Sequence, residues 1–307
     1  MSNPFYRDIL NQPDALRNLI HYYSDDVGRE LLTKTTINSA ENLILTGMGA
    51  SYHAIMSVLP ILHLNKIPAI AIESTDLMNY SIKGLAENST IIFASQSGAS
   101  GEVLPIVQQT DNVIAVTNDD QSPLAQNSRS LFPIIAGVSE SGVACSTYCN
   151  MIATLWILTR AWTKTREMHD WDRLYQIADR LELLLKKAPE MIEKWMEIFQ
   201  NETTPIFIGH GPHYATARQT AMMLGEWAKL PAISYGLGAF RHGPIEFFKP
   251  GTGVIIFSSP GISQTSAYTL ATELSELKAN VLLVENGFTM NFNEKSSDPL
   301  TFDEFLI

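Results

Sequence analysis

The 307-residue chain has only two cysteines, Cys145 and Cys149, too few for a disulfide framework, so a reducing compartment is expected. It is also short of positive charge. Against 32 Asp and Glu stand 21 Lys and Arg, a net charge of −11, which argues against a broad nucleic-acid footprint or an anionic membrane surface. A local pocket for one phosphate remains compatible with that balance. No window reaches the ~18 uninterrupted apolar residues of a membrane span. The start, Met1-Ser2-Asn3-Pro4-Phe5-Tyr6-Arg7-Asp8, lacks the basic and apolar segments of a signal peptide. Charged residues are scarce at 17% while hydrophobic ones reach 45%, which excludes disorder and supplies a packed core. The expectation is a soluble cytoplasmic protein whose partner is a small molecule, with neither nucleic acid nor membrane.

What the chain does have is a repeat. Its 307 residues exceed the about 250–300 at which one core stops growing, so two compact units are expected, and two matching halves are visible. The run Asn42-Leu43-Ile44-Leu45-Thr46 enters Gly47-Met48-Gly49-Ala50-Ser51-Tyr52, just as Pro205-Ile206-Phe207-Ile208 enters Gly209-His210-Gly211-Pro212-His213-Tyr214. Both read as strand, glycine turn and helix start. Ile67 to Ile72 then matches Leu230 to Tyr235, Thr90 to Gly98 matches Gly253 to Gly261, and Asn112 to Asn118 matches Asn280 to Asn286. Short apolar strands alternating with helix-length segments predict an α/β fold of two doubly wound parallel-sheet halves. Residues from about Val143 to Gln200 read as long helices, with Leu181, Leu184, Leu185, Ala188 and Ile192 as a core-packing stripe. The implied division is a helical lead-in over 1–40, a first half over 41–165, a helical linker over 166–200 and a second half over 201–307.

Doubly wound folds bind ligands beyond the carboxyl ends of their strands. Gly47-Met48-Gly49 begins like a dinucleotide fingerprint, but Tyr52 stands where the third glycine belongs. The loop Ser95-Gln96-Ser97-Gly98-Ala99-Ser100 is more informative, because three hydroxyls and an amide crowd a turn before an apparent helix start at Gly101-Glu102. Backbone N–H groups and the positive end of a helix favour an anion there. The same loop alone would also serve as a solvated turn with a serine N-cap; its place at a strand end favours the anion. The matching loop Ser258-Ser259-Pro260-Gly261 has a proline, which removes a donor, so the phosphate is expected in the first half only.

These motifs resemble the tandem sugar-isomerase (SIS) domain family, especially the isomerase half of glutamine–fructose-6-phosphate aminotransferase and its deaminase and deglycase relatives. The resemblance runs from about residue 40 onward. It is carried by Gly47 to Tyr52, Ser95-Gln96-Ser97-Gly98, Glu140-Ser141-Gly142-Val143-Ala144, Leu224-Gly225-Glu226 and Phe240-Arg241-His242-Gly243-Pro244. It implies that Ser95, Gln96, Ser97 and Ser100 hold a sugar phosphate and that Ser51, Val143 and Ala144 touch the sugar. It further implies Glu226 as acid/base and His242 as the group that helps ring opening. Chemically the pair makes sense: moving a proton between C1 and C2 of an open sugar needs a carboxylate, and ring opening needs a group titrating near neutrality. Taken singly, Glu226 reads as a surface charge late in a helix and His242 as a capping residue.

Departures from the family matter for the reaction. Met223 stands one turn before Glu226, where the aminotransferase branch has a lysine. The chain ends at Phe305-Leu306-Ile307 without that branch's tail lysine, and the repeat itself implies a shortened second half. No glutaminase segment precedes the first half, so synthesis of glucosamine 6-phosphate by this polypeptide alone is not expected. The expectation is an enzyme acting on an amino- or amine-substituted hexose 6-phosphate by deaminase, deglycase or aldose–ketose isomerase chemistry. The alternative is a noncatalytic phosphosugar sensor. Neither cofactor nor metal is implied: His210 and His213 sit in a glycine-rich turn without a neighbouring carboxylate or thiolate. Cys145 and Cys149 read as thiols packed in a helix, Cys145 lining the sugar pocket without acting as a nucleophile. A homodimer is implied by the resemblance alone.

Overall fold

The computed structural model describes residues 3–35, 42–167, 169–199, 204–285 and 288–291. The C-terminal residues Phe305 to Ile307 and Asn286 of the fourth-strand match lie outside them. The chain divides into two compact units, Met1–Ala178 and Asp179–Ile307, and the boundary falls inside the helix Asp170–Phe199.

In the first unit, β1 (Asn42–Gly47), β2 (Ala69–Glu73), β3 (Ser89–Ala94), β4 (Val113–Thr117) and β5 (Ser130–Pro133) form one parallel sheet in the order β2-β1-β3-β4-β5. The continuous apolar runs are explained by burial on both faces. Leu43, Leu45, Ile92, Ala94, Ile114 and Val116 point to one face, where they meet the helices Gln12–Ser24, Gly49–Leu64 and Ser146–Trp162. Ile44, Ile91, Phe93, Val113 and Ala115 point to the other, against Leu77, Ile82, Val103, Ile106 and Leu124. The N-terminal helices therefore belong to this unit's core, with Leu19, Ile20 and Tyr23 fully buried.

Two polar ties hold the helical layer. Asn150 is fully buried in the helix Ser146–Trp162, and its Nδ2 donates to the carbonyls of Ala15 and Ile134, each at 2.9 Å. Arg160 donates to both oxygens of Asp170 at 3.1 and 2.9 Å, fixing the corner into the long helix.

The second unit repeats the winding. Here β6 (Ile206–Gly209), β7 (Ile233–Gly236), β8 (Gly253–Ser258) and β9 (Asn280–Glu285) are parallel in the order β7-β6-β8-β9. At the edge, β10 (Phe288–Asn291) runs antiparallel to β9, whereas its counterpart β5 is parallel. Ile206, Ile208, Val254, Ile256, Val281 and Leu283 pack with the helix Gln264–Glu276, and Phe207, Ile255 and Leu282 face Trp195 and Phe199. No helix among the described residues is long and apolar enough to cross a membrane.

Three local expectations need correction. The helix after the serine loop is only Val103–Val107, five residues, too short to lend an anion much dipole. The helix expected from Val143 starts at Ser146, so Cys145 is its N-cap. The stripe Leu181, Leu184, Leu185, Ala188 and Ile192 lies on a helix, but it is not core: the first four are half-buried and Ile192 is 53% exposed. A helical period marks an apolar face without determining what covers it.

Asn150→Ala is expected to strip two buried carbonyls of their donor and cost about 2 kcal/mol or more. Urea unfolding with an unchanged midpoint would remove Asn150 from the set of ties that secure the N-terminal helices.

Candidate functional site

The order β2-β1-β3-β4-β5 puts the topological switch between β1 and β3, where chain connections leave in opposite directions and open a crevice at the carboxyl ends. The two loops singled out in the sequence leave those two strands. They approach closely: a Cβ on Gly47 would lie 2.8 Å from the Ala94 carbonyl oxygen and 3.2 Å from the Ser51 carbonyl carbon. Only glycine admits that approach. Ser51 is buried in the first turn of the helix Gly49–Leu64.

The serine loop is a defined turn. Buried Ser95 Oγ accepts from Gly98 N at 3.1 Å, and Ser97 Oγ accepts from Ala99 N at 3.3 Å. The backbone closes it further, with Asn118 N donating to Gln96 O and Leu124 N to Gly98 O. Gly98 has φ +61°, and a Cβ there would stand 2.6 Å from Ser122 Cβ, so this position demands glycine. Gln96, Ser97 and Ala99 are left exposed and Ser100 half-exposed. Such a turn offers an anion short hydroxyls and backbone N–H groups without a long helix behind it.

Gln96 also lines a pocket of about 310 Å³ with Asn118, Gly137, Val138, Ser139, Gly142, Val143, Ala144 and Thr147. Three sequence-predicted residues, Gln96, Val143 and Ala144, are thus brought to one cavity; Ser95, Ser97 and Ser100 lie in the serine loop with Gln96, and Ser51 in the helix turn that follows β1. Cys145 does not line the cavity. It is 4% exposed, and burial, reinforced by Cys149 and Asp8, pushes its thiol up to about 12, so it stays a neutral thiol.

Two side chains that the sequence reading missed shape this pocket. Asn118 bridges its walls: Nδ2 donates to Gly137 O at 2.7 Å and Oδ1 accepts from Ala136 N at 2.9 Å. Beside it, Ile135 is held at φ +47°, an outlier for a β-branched residue and a form of strain that clusters at functional sites. Asp8, from the helix Pro4–Leu10, accepts from Ser139 Oγ, Glu140 N and Ser141 N at 2.9, 3.0 and 2.9 Å and from the Ser141 hydroxyl as well. Burial favours its neutral form, but these donors outweigh burial and hold the carboxyl down at about 2. No sequence spacing links residue 8 to the loop at 139–143.

The second unit's corresponding crevice has different chemistry. Glu285, at the end of β9, is 8% exposed and accepts from Gln264 Nε2 at 3.1 Å and from the Tyr268 hydroxyl at 3.0 Å. Burial first, then that carboxylate, raise the Tyr268 phenol to about 12. Burial lowers His213, and Glu285 opposes the shift, so a carboxylate does reach His213 electrostatically, contrary to the sequence expectation. An anion here would meet a carboxylate. Among the described residues no three His, Cys, Asp or Glu gather as metal ligands would.

Glu226 and His242 lie on either side of β7. Glu226 sits in a π-helical turn, Leu224–Ala228, that ends the helix Pro212–Met223 and precedes the strand. It therefore stands at the edge where this sheet's strands start, away from the crevice. Such single π turns re-aim a side chain and are frequent at functional sites. His242 follows β7 and the helix Leu237–Arg241, just before Gly243 at φ +130°. Both are exposed, and no hydrogen bond or ion pair joins the two side chains.

The description "SIS domain" fits the chain over residues 36–161 and 198–287, more than half its length. The chain belongs to this SIS domain family. The glutamine–fructose-6-phosphate aminotransferase of Geobacillus kaustophilus is 28% identical over 265 residues, 82% of this chain and 44% of that protein. Its Streptococcus pneumoniae counterpart is 22% identical over 296 residues, 92% and 49% respectively. This chain spans about half the length of these curated relatives. Among solved structures, the C-terminal domain of the Francisella tularensis glucosamine–fructose-6-phosphate aminotransferase superposes with a TM-score of 0.76 at 21% identity, covering 93% of this chain and 84% of that one. For a Thermotoga maritima glucosamine-6-phosphate deaminase the score is 0.69 at 20% identity, over 93% and 86%. The structural likeness establishes the tandem SIS fold, and the two matched SIS segments correspond to the two sheets.

Gly98→Ala is expected to cost roughly 1–2 kcal/mol in backbone strain and to weaken inorganic phosphate binding at least about tenfold; unchanged affinity in a phosphate titration would reject the loop as an anion cradle. For Asp8, a folded carboxyl titrating near 2 rather than the usual range near 4 stabilises the fold fully above about pH 4, and that stabilisation is lost as pH falls toward 2. Asp8→Asn should therefore flatten the fall in stability across that window by on the order of 1–2 kcal/mol, read as denaturant midpoints at successive pH values.

Proposed function

We propose that this SIS protein is an enzyme acting on an amino- or amine-substituted hexose 6-phosphate, by deaminase, deglycase or aldose–ketose isomerase chemistry. The observation that carries the reading is the glycine-dependent serine turn at the β1/β3 switch, opening through Gln96 onto a pocket with Val143 and Ala144. On this reading Ser95, Gln96, Ser97 and Ser100 hold the phosphate. Ser51, Val143 and Ala144 contact the sugar. The volume of about 310 Å³ suits one hexose phosphate.

His242 helps open the ring, giving the open-chain aldose or ketose. Glu226 takes the proton from one of C1 and C2 and returns it to the other, through an enediol or, with nitrogen at C2 (glucosamine) or at C1 (fructosamines), an enolamine. Water then adds to the resulting imine carbon and the amine leaves. When no amine is expelled, the same proton transfer is an isomerisation. The matched relatives bear names of this chemistry, an isomerising aminotransferase among them. A reducing cytoplasmic setting and a homodimer accompany the reading.

Met223, in place of a lysine one turn before Glu226, favours a second reading, a noncatalytic phosphosugar sensor. The two separate on Glu226→Gln. An enzyme is expected to keep its affinity for hexose 6-phosphates while turnover falls by roughly 10²–10⁴-fold. The assay offers glucosamine 6-phosphate and fructosamine 6-phosphates and follows released amine and hexose phosphate. Binding without turnover by the unmodified protein on every substrate would establish the sensor instead.

A further inference from the structure

Neither the phosphate loop nor Glu226 and His242 explains why a helix at the start of the chain carries a buried carboxylate aimed at a loop 131 residues further on. We propose that Asp8 is a positioning residue for the sugar-side wall of the first-unit pocket, so that the helix Pro4–Leu10 is a working part of the binding site. The inference rests on the reading of this pocket as the phosphosugar site.

The wall in question is the loop Ser139–Val143, of which Ser139, Gly142 and Val143 line the cavity. Its internal bonds depend on two hydroxyls, since Gly142 N donates to Ser139 Oγ at 3.1 Å and Val143 N to Ser141 Oγ at 3.2 Å. Those hydroxyls have one proton each: that of Ser141 goes to Asp8, and that of Ser139 is shared between Asp8 at 2.9 Å and the Val143 carbonyl at 3.3 Å. The carboxylate also takes the N–H groups of Glu140 and Ser141. It thereby fixes which way each serine points, and the serines fix the amides of Gly142 and Val143. Arg7 pairs with Glu140, and Ser146 Oγ donates to the Asp8 carbonyl at 3.2 Å, so the helix is tied on both sides of the carboxylate. Only an acceptor-only group with two oxygens satisfies four donors at once; an amide would turn one N–H₂ toward them.

The phosphate loop has no such dependence. Its turn is closed by Ser95, Ser97, Asn118 and Leu124, and none of these bonds involves Asp8. A loss at Asp8 should accordingly fall on the sugar and spare the phosphate, which general destabilisation would not do.

The test compares wild type, Asp8→Asn and Ser141→Ala by calorimetric titration with glucosamine 6-phosphate and with inorganic phosphate, after urea unfolding of each. Asp8→Asn is expected to weaken the sugar phosphate about 10–100-fold while leaving inorganic phosphate within about twofold. Ser141→Ala, which removes one donor and endangers the fold less, is expected to lose about 3–10-fold on the sugar phosphate alone, and it decides the matter if Asp8→Asn does not fold. Asp8→Glu, which keeps the carboxylate, should recover part of the loss. Equal weakening of both ligands, or no weakening of the sugar phosphate in a folded variant, overturns the role of Asp8. Failure of the wild type to bind either ligand overturns the proposed function and this inference together.

Discussion

The central strands β1, β3 and β4 are buried on both faces, and their middles, Leu43 to Leu45, Ile91 to Ala94 and Val113 to Val116, are wholly apolar. A strand in that position has no room for functional chemistry along its length, since a buried polar group without partners costs several kcal/mol, about 2–7 by transfer measures. The first place where the chain can present hydroxyls and free backbone donors is the carboxyl end of each strand. The site features of the first unit follow from that restriction: the glycine approach at Gly47, the turn at Gly98, and Asn118 directly after β4 all lie at the carboxyl ends of the strands.

The duplication makes the restriction visible twice, with different outcomes. Both sheets have the same winding, and both place a short loop after the third strand. In the first unit that loop is built around Ser95, Ser97 and Gly98, and the neighbouring strand end supplies Thr117 and Asn118, which brace it through Gln96 O. In the second, the neighbouring strand end supplies Glu285, already occupied by Gln264 and Tyr268. Ser258 lies beside Glu285 in register. A phosphate would be repelled there: the second copy has filled with a carboxylate network the space where the first presents hydroxyls and backbone N–H groups. Glu226 lies apart from that network, in the π turn Leu224–Ala228 that precedes β7.

Much of this was legible in the sequence because it is local. Strand runs, glycine turns and the repeat are written in residues a few positions apart, and both sheets are wound with parallel strands as expected, except for the antiparallel edge strand β10. The serine loop was legible for the same reason, although the need for glycine at Gly98 shows only in its backbone. What escaped was of two kinds. Helix boundaries near Cys145 and Gly101 depend on hydrogen bonds that composition does not encode, and the apolar stripe from Leu181 to Ile192 has the right period without the expected burial. Asp8 and Asn118 escaped because their partners are distant in the chain: an aspartate in a helical lead-in carries no mark of the loop it will meet at Ser139.

That meeting bears on how a protein of net charge −11 can host an anion at all. Asp8 is a buried carboxylate stabilised mainly by hydroxyls and backbone N–H groups, and those neutral dipoles outweigh burial and hold its carboxyl down at about 2. The serine loop presents the same kinds of donor and no cationic side chain. Neutral donors held in fixed directions cost little to reorganise when charge arrives, and they discriminate by geometry where a lysine would discriminate by sign. The two anionic positions of the first unit, one a side chain and the other a proposed ligand, thus rely on one physical device. The rigidity that the device needs is supplied by Gly98 and Asn118 on the phosphate side and by the N-terminal helix on the other.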